Sequence, residues 1–197
     1  MFANNGVNVA CTGDIRTLLD WKNYKTIEAP KARFSYLFMN CEALTSAPEL
    51  PAETLASYCY SFMFQGCKNL KTAPELPAKT LAEYCYSYMF NGCKNLETAP
   101  ELPATTLAEI CYFGMFQGCT NLSSVTMLAP SDQIKNTSNC CYNWLYNAGT
   151  SATSRTLKVK DKDAYNALLA GGTYLPAIWK IGATDTKVVN ESGNAIQ

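Results

Sequence analysis

Residues 68–93 read KNLKTAPELPAKTLAEYCYSYMFNGC, and residues 94–119 read KNLETAPELPATTLAEICYFGMFQGC. The two stretches agree at 20 of 26 positions, and residues 42–67 (EALTSAPELPAETLASYCYSFMFQGC) agree with 68–93 at 18 of 26. Cys41, Cys67, Cys93 and Cys119 mark the period. A fixed repeat of 20 to 50 residues identifies an architecture of stacked units, each burying its apolar face against its neighbours. Working outward, a half unit spans 32–41, because Phe34 to Phe38 falls one period before Tyr60 to Phe64. A degenerate unit of 30 residues follows at 120–149, read as 26 plus an insertion of four within the polar stretch SDQIKNTSN, residues 131–139. That stretch is expected to bulge as a loop.

Inside one unit two periodicities compete. Leu81, Cys85, Met89 and Cys93 recur every four residues, as on a helix face. Tyr84, Tyr86 and Tyr88 alternate with Cys85 and Ser87, as on a strand. The reading adopted is an extended segment around Tyr84 to Tyr86 followed by a short helical turn ending near Gly92. The other half, Leu70 to Pro77, is a short apolar stretch in which Pro74 cannot donate a ladder hydrogen bond, so any strand there is short or bulged.

The flanks differ in composition. Residues 1–31 are expected to form an N-terminal cap, with Asp14 to Trp21 as a short helix or an irregular first coil. Residues 150–183 form a C-terminal cap: Arg155 to Lys160 alternates like a strand, and Asp161 to Asp163 start a helix that runs through Ala170 and stops at Gly171-Gly172. Leu175 to Ile181 reads as a further strand, and 184–197 as a polar, frayed tail.

Composition narrows the function classes. The 197 residues carry 16 basic and 16 acidic side chains, so the formal charge is zero, and a basic surface for nucleic acid is not expected. There is no histidine, which removes serine–histidine and cysteine–histidine nucleophiles and the commonest zinc ligand. No apolar run approaches the length of a membrane span, and the opening residues Met1 to Gly6 lack the basic and apolar regions of a secretory signal. The ten cysteines fall mainly into two columns, Cys41, Cys67, Cys93, Cys119 and Cys59, Cys85, Cys111, Cys141. The favoured reading is ladders of buried free thiols, with disulfides as the alternative and metal binding the least expected.

Two further columns are candidate binding surfaces. Glu49, Glu75 and Glu101 form a column of like charge, read either as a solvated edge or as an acidic stripe facing a basic partner or a cation. Phe34, Tyr60, Tyr86, Tyr112 and Tyr142 form an aromatic column, with Tyr60, Tyr86 and Tyr112 its candidate binding residues and Tyr36, Phe62 and Tyr88 in another column; structural stacking is favoured, and a platform for sugars or peptides is the functional alternative. The Phe38, Phe64, Phe90, Phe116, Tyr146 column and its neighbour Leu37, Met63, Met89, Met115, Leu145 are assigned to the core. The only polar residues outside the repeat that could form an enzymatic cluster are Asp14, Arg16, Arg155, Asp161 and Asp163, and their spacing matches no catalytic motif.

The repeated pattern, with its Cys-x-x-Leu step (Cys67 to Leu70, Cys93 to Leu96, Cys119 to Leu122) and its apolar-Phe-x-Gly-Cys turn, resembles the BspA-like, or Treponema pallidum-type, leucine-rich repeats. The resemblance covers roughly residues 32–149. It departs from the family in its 26-residue unit and in Pro48, Pro74 and Pro100 inside the expected strand. It implies an α/β repeat: a right-handed leucine-rich-repeat solenoid of short strands and short helical turns, capped at both ends. It further implies a non-catalytic binding or adhesion module of a bacterial cell-surface or secreted protein, with host or bacterial surface proteins or glycans as partners and no cofactor. A leader would then be removed or lie upstream. A structural or virion-associated repeat protein with no ligand of its own is the alternative.

Overall fold

The structure is a computed structural model, and it describes residues 8–27 and 33–197. The leading part of the expected N-terminal cap, residues 1–7, and its junction with the repeats, residues 28–32, lie outside the described residues. The chain is a mixed α/β structure with parallel sheets and few helices. Strand β1 (Val9–Ala10) pairs in parallel with β2 (Leu44–Ser46). Strands β3 (Thr98–Leu102), β4 (Ser124–Met127), β5 (Arg155–Val159) and β6 (Thr186–Val189) form a four-stranded parallel sheet in chain order.

Proline decides where this sheet is continuous. Strand β4 contains none and pairs with β5 residue by residue from Ser124–Thr156 to Met127–Val159. Strand β3 contains Pro100, and its register against β4 slips between Thr98 and Glu101. Between the earlier units the bridges shrink to single residues, Ser46–Thr72 and Thr72–Thr98 at one end of the APELPA segment and Thr54–Thr80 and Thr80–Thr106 at the other. A proline has no N–H to give to a neighbouring strand, so the segment between those bridges runs without ladder pairs.

The second half of each unit resolves the competing periodicities. Positive φ recurs every four residues, at Tyr58, Phe62 and Gly66, at Tyr84, Tyr88 and Gly92, at Ile110, Gly114 and Gly118, and at Asn139, Asn143 and Asn147. Each such residue is the third of a tight turn, and the turns overlap into a ribbon. In residues 84–93 the odd-numbered N–H groups bond back within the ribbon: Cys85 to Ala82, Ser87 to Tyr84, Met89 to Tyr86, Asn91 to Tyr88 and Cys93 to Phe90. The even-numbered N–H groups bond to the next unit: Tyr84 to Glu109, Tyr86 to Cys111, Tyr88 to Phe113, Phe90 to Met115 and Gly92 to Gln117. The backbone is thus turn-like every second residue and sheet-like every other second residue. The expected extended segment followed by a helical turn is one continuous ribbon.

The ribbon has a defined inside. Cys85, Tyr86, Met89, Phe90 and Cys93 are buried, whereas the positive-φ residues Tyr84, Tyr88 and Gly92 are partly exposed. Equivalent rings stack between units, with Phe64 and Phe90 centroids 5.5 Å apart and Phe90 and Phe116 5.7 Å apart. The cysteines are free thiols; Cys11 is half-buried and the other nine are buried. Cys67, Cys93 and Cys119 donate through Sγ to the carbonyls of Phe38, Phe64 and Phe90 at 3.1, 3.1 and 3.0 Å.

Four expectations change in the last third of the chain. The stretch 131–139 is not a loop: Ser131–Asn136 is helix α1, Ile134 is buried and the helix packs on α2 (Lys162–Ala170). Gln133 also accepts the Leu107 N–H through its side chain, so the insertion is built into the stack. The ribbon register shows three added residues where four were counted, because Tyr112 N–H bonds to Cys140 and Phe116 N–H to Trp144. Hence Cys140 lies in the Cys111 column, Cys141 in the Tyr112 column and Asn139 in the Ile110 column, each one residue away from the sequence alignment; for the same reason Tyr142 leaves the tyrosine column, Leu145 takes the Phe116 place and Trp144 the Met115 place, and Tyr146, expected in the core, is 49% exposed. Leu175 to Ile181 holds a 3-10 turn at Ala177–Trp179 in place of a strand. The tail is paired: β6 joins the sheet, and Ile196 is buried with its N–H on the Val188 carbonyl. Strand β5 and helix α2, capped by the Asp161 side chain on the Ala164 N–H and closed at Gly171, stand where the sequence placed them.

Two outcomes test this fold. Ile110 holds φ 57°, which a β-branched residue adopts at a cost of roughly 1–2 kcal/mol. Ile110→Asn, the residue of the next unit at that position, should raise stability by about 1 kcal/mol in chemical denaturation. Burial also pushes the thiols of Cys59, Cys67, Cys111 and Cys119 from 9.0 up to about 12. The folded chain therefore keeps protons that the unfolded chain releases, so this stabilisation is complete below about pH 9 and is lost as the pH rises toward 12. Denaturation midpoints should be flat near neutrality and fall above about pH 9, and replacing Cys67 and Cys93 by alanine should flatten that fall.

Candidate functional site

The APELPA segments build the most distinctive surface. Pro48, Pro74 and Pro100 are buried, while Glu49, Glu75 and Glu101 between them and the second prolines are exposed. Because these segments run unpaired between their bridges, they leave depressions between adjacent units. One of about 540 Å³ is bounded by Pro48, Glu49, Pro51, Glu53, Pro74 and Glu75. The next, of about 390 Å³, shares Pro74, Glu75 and Pro77 and extends to Pro100, Glu101 and Pro103. The two adjoin at Pro74, Glu75 and Pro77, so a recessed, proline-walled groove surface spans three units with a carboxylate contributed by each. Asp14 bridges to Glu49 at the first edge, but Arg16 engages its carboxylate at 2.7 Å. That side-chain hydrogen bond holds the Asp14 carboxyl below its ordinary range.

The tyrosine column behaves differently. Tyr60, Tyr86 and Tyr112 are each 1% exposed and stack with centroids 6.0 Å apart, so their rings face one another inside the core and offer no platform to a partner. The reason is parity: they occupy the position after the inward cysteine, not the outward positive-φ position. Outside lies a different ladder, Tyr36, Phe62, Tyr88, Phe113 and Tyr142, whose successive centroids are 4.9, 4.9, 5.2 and 5.0 Å apart. Phe113 enters it from the Ser61 and Ser87 column because Gly114 vacates the regular place, where a Cβ would meet the Tyr88 ring at 2.5 Å. Phe113 and Tyr142 were not expected in this role; the paired change from Ser-Tyr to Phe-Gly at 113–114 is the sequence signal for it. Most of these rings lie face to face, so inside the ladder edges and hydroxyls are what reach solvent, not faces on which a sugar could stack.

The polar residues outside the repeat are dispersed and structurally engaged. Arg155 donates to the carbonyls of Gly149, Ala152, Ile178 and Thr184 and to the Thr186 hydroxyl, tying β5 to the segment that follows α2. Asp161 caps α2 and Asp163 lies in its first turn. They form no common site with Asp14 and Arg16. The adjacent Cys140 and Cys141 are buried, and a hydrogen bond from the Cys141 thiol holds the Cys140 thiol below its ordinary value. Among the described residues no group of three or more histidine, cysteine or acidic side chains is placed to hold a metal ion. Among the described residues no helix is long and apolar enough to cross a membrane.

Comparison with known proteins finds no matching family model, no matching curated protein and no matching solved structure.

Proposed function

We propose that the chain is a non-catalytic binding and adhesion module of a bacterial cell-surface or secreted protein, built as a right-handed leucine-rich-repeat solenoid of the BspA-like type. The observation that carries this reading is the proline-walled groove with Glu49, Glu75 and Glu101 along it. Three like charges in adjacent units, separated by about the 5 Å between neighbouring strands, repel one another. Such an arrangement is relieved by a partner that brings positive charge to each carboxylate. The partner is a surface protein or a glycan that lies along the stack and meets each unit in the same way, so that weak contacts accumulate from unit to unit.

A glycan and protein array with the purified chain should yield a ligand whose binding weakens as salt rises. Glu75→Gln alone should cost about two- to fivefold in affinity, and replacing all three glutamates should cost about eight- to a hundredfold, as expected for exposed charge pairs worth under about 1 kcal/mol each. Because all three side chains are exposed, thermal stability should not fall. A triple variant that binds like the parent would overturn the reading.

A further inference from the structure

The buried tyrosine column ends in a thiol. In the ribbon register Cys141 takes the place held by Tyr60, Tyr86 and Tyr112, and Cys140 stands beside it in the Cys111 column. Earlier units set a cysteine next to a tyrosine at this step, as in Cys85-Tyr86, whereas here two adjacent thiols share the inward face. Both are completely buried. A ring reaches them from another part of the chain: Tyr174, in the segment after α2, donates its hydroxyl to the Cys140 sulfur, and its carbonyl accepts the Trp144 indole N–H. The Cys140 sulfur therefore accepts from two donors, the Cys141 thiol and the Tyr174 hydroxyl, while its own proton points at the Ile134 carbonyl 3.6 Å away.

The cover over this pair is thin and loosely tied. Tyr174 is 9% exposed, so a single side chain touches both solvent and the Cys140 sulfur. Its ring lies against Gly171, where a Cβ would meet it at 2.3 Å. Among the described residues the N–H groups of Thr173, Tyr174 and Leu175 have no backbone acceptor. Segments with so few backbone bonds are the ones that open at low free energy. The thiol beneath is also set apart from the rest of the core. Burial pushes Cys85, Cys93 and Cys119 up, but the hydrogen bonds from Cys141 and then from Tyr174 hold Cys140 below its ordinary value in spite of burial. The titratable groups that act on it are Cys141, Tyr174 and Cys111, whose thiol donates to the Cys140 carbonyl. A thiol that ionises more readily is the better nucleophile, and one beside a second thiol can be resolved.

We propose that Cys140 is an oxidation site for hydroperoxides, which reach it when the Tyr174 segment opens, and that Cys141 resolves it into a disulfide between the two adjacent residues. With hydrogen peroxide the Cys140 sulfur attacks one oxygen, the O–O bond breaks, and the products are a sulfenic acid and one water. The Cys141 sulfur then attacks the sulfenic sulfur, the S–O bond breaks, and the S–S bond forms with release of a second water. Two thiols are oxidised and one peroxide is reduced to two waters. Cα atoms joined by a trans peptide are about 3.8 Å apart, closer than the roughly 4.4–6.8 Å of ordinary disulfides, so the product is strained and readily reduced. Its strain falls on a working joint of the stack, because the Cys140 carbonyl accepts the Tyr112 N–H at 2.9 Å and the Cys141 carbonyl accepts the Trp144 N–H. Oxidation therefore loosens the last ribbon and the segment that covers it, and reduction restores both.

The probe is hydrogen peroxide added to the reduced, folded full chain, followed by thiol blocking, trypsin and mass spectrometry. Trypsin releases residues 136–155 as one peptide that holds Cys140 and Cys141 and no other cysteine. That peptide should lose two hydrogens at least about tenfold faster than Cys93 or Cys119 is oxidised, and dithiothreitol should reverse the loss and recover a lowered thermal midpoint. In Cys141→Ser the disulfide cannot form, and a 1,3-diketone should trap a sulfenic acid at Cys140. Tyr174→Phe keeps the ring and the carbonyl that holds Trp144 but removes the hydroxyl donor. It should slow the reaction about three- to tenfold near neutral pH and move the pH midpoint of the rate upward. Oxidation of Cys93 or Cys119 at the same rate would overturn the proposal, as would oxidation of Cys140 only in denaturant. So would a Tyr174→Phe pH profile that matches the parent.

Discussion

The structure depends on how the ribbon divides its backbone hydrogen bonds. Alternate N–H groups close turns within a unit, and the others reach the next unit. This satisfies the donors of a buried, tightly curved segment without an α-helix or a regular strand, which is the condition for burying it at all. The division requires a left-handed residue at every fourth position, and the chain meets that requirement unevenly. Gly66, Gly92 and Gly118 adopt it at no steric cost, and Asn139, Asn143 and Asn147 adopt it readily. Tyr58, Phe62, Tyr84, Tyr88 and Ile110 do so at a cost. The aromatic members of that set recover part of it by stacking, with Tyr58 and Tyr84 centroids 4.4 Å apart.

The period of the units was legible because self-similarity needs no knowledge of conformation. So were the places where the sheet would break, since Pro48, Pro74 and Pro100 carry their own physical reason. The ribbon was harder to see. Its four-residue period imitates a helix face and its two-residue alternation imitates a strand, and neither pattern alone describes a backbone that alternates between the two kinds of bond. The error at the last unit has the same origin. Aligning Cys141 with Cys85 by residue type places the register one position away from the hydrogen bonds, which set Cys140 against Tyr112. The helix at Ser131–Asn136 was missed because it is short and mostly polar, and one buried side chain, Ile134, anchors it against α2.

For the candidate site, periodicity could identify columns but not which way they point. Every column of a repeat is equally regular, so the buried Tyr60, Tyr86, Tyr112 series and the exposed Glu49, Glu75, Glu101 series look alike as spacing. Residue chemistry separated them only in part, since tyrosine is at home in either place while a glutamate flanked by proline and leucine has only the surface. The position within the four-residue turn decides the aromatic case. Tyr86 follows the inward Cys85, whereas Tyr84 and Tyr88 take the left-handed place and face out.

Proline and glutamate in the APELPA segment act together. If the six residues paired along their length, as β4 and β5 do, adjacent units would meet in a flat sheet face, and three glutamates on it would be a plain acidic patch. With no donor at Pro48 or Pro74, the bridges between the first three full units fall only at Ser46, Thr72 and Thr98 on one side and at Thr54, Thr80 and Thr106 on the other, and the backbone between them opens into the groove. Pro51, Pro77 and Pro103 then restrict the backbone where the groove wall turns away. Stability lost from the missing ladder is offset on the opposite side, where the ribbon bonds every second residue to its neighbour. The ribbon therefore supplies the inter-unit cohesion, which leaves the strand half free to carry a recessed, charged surface.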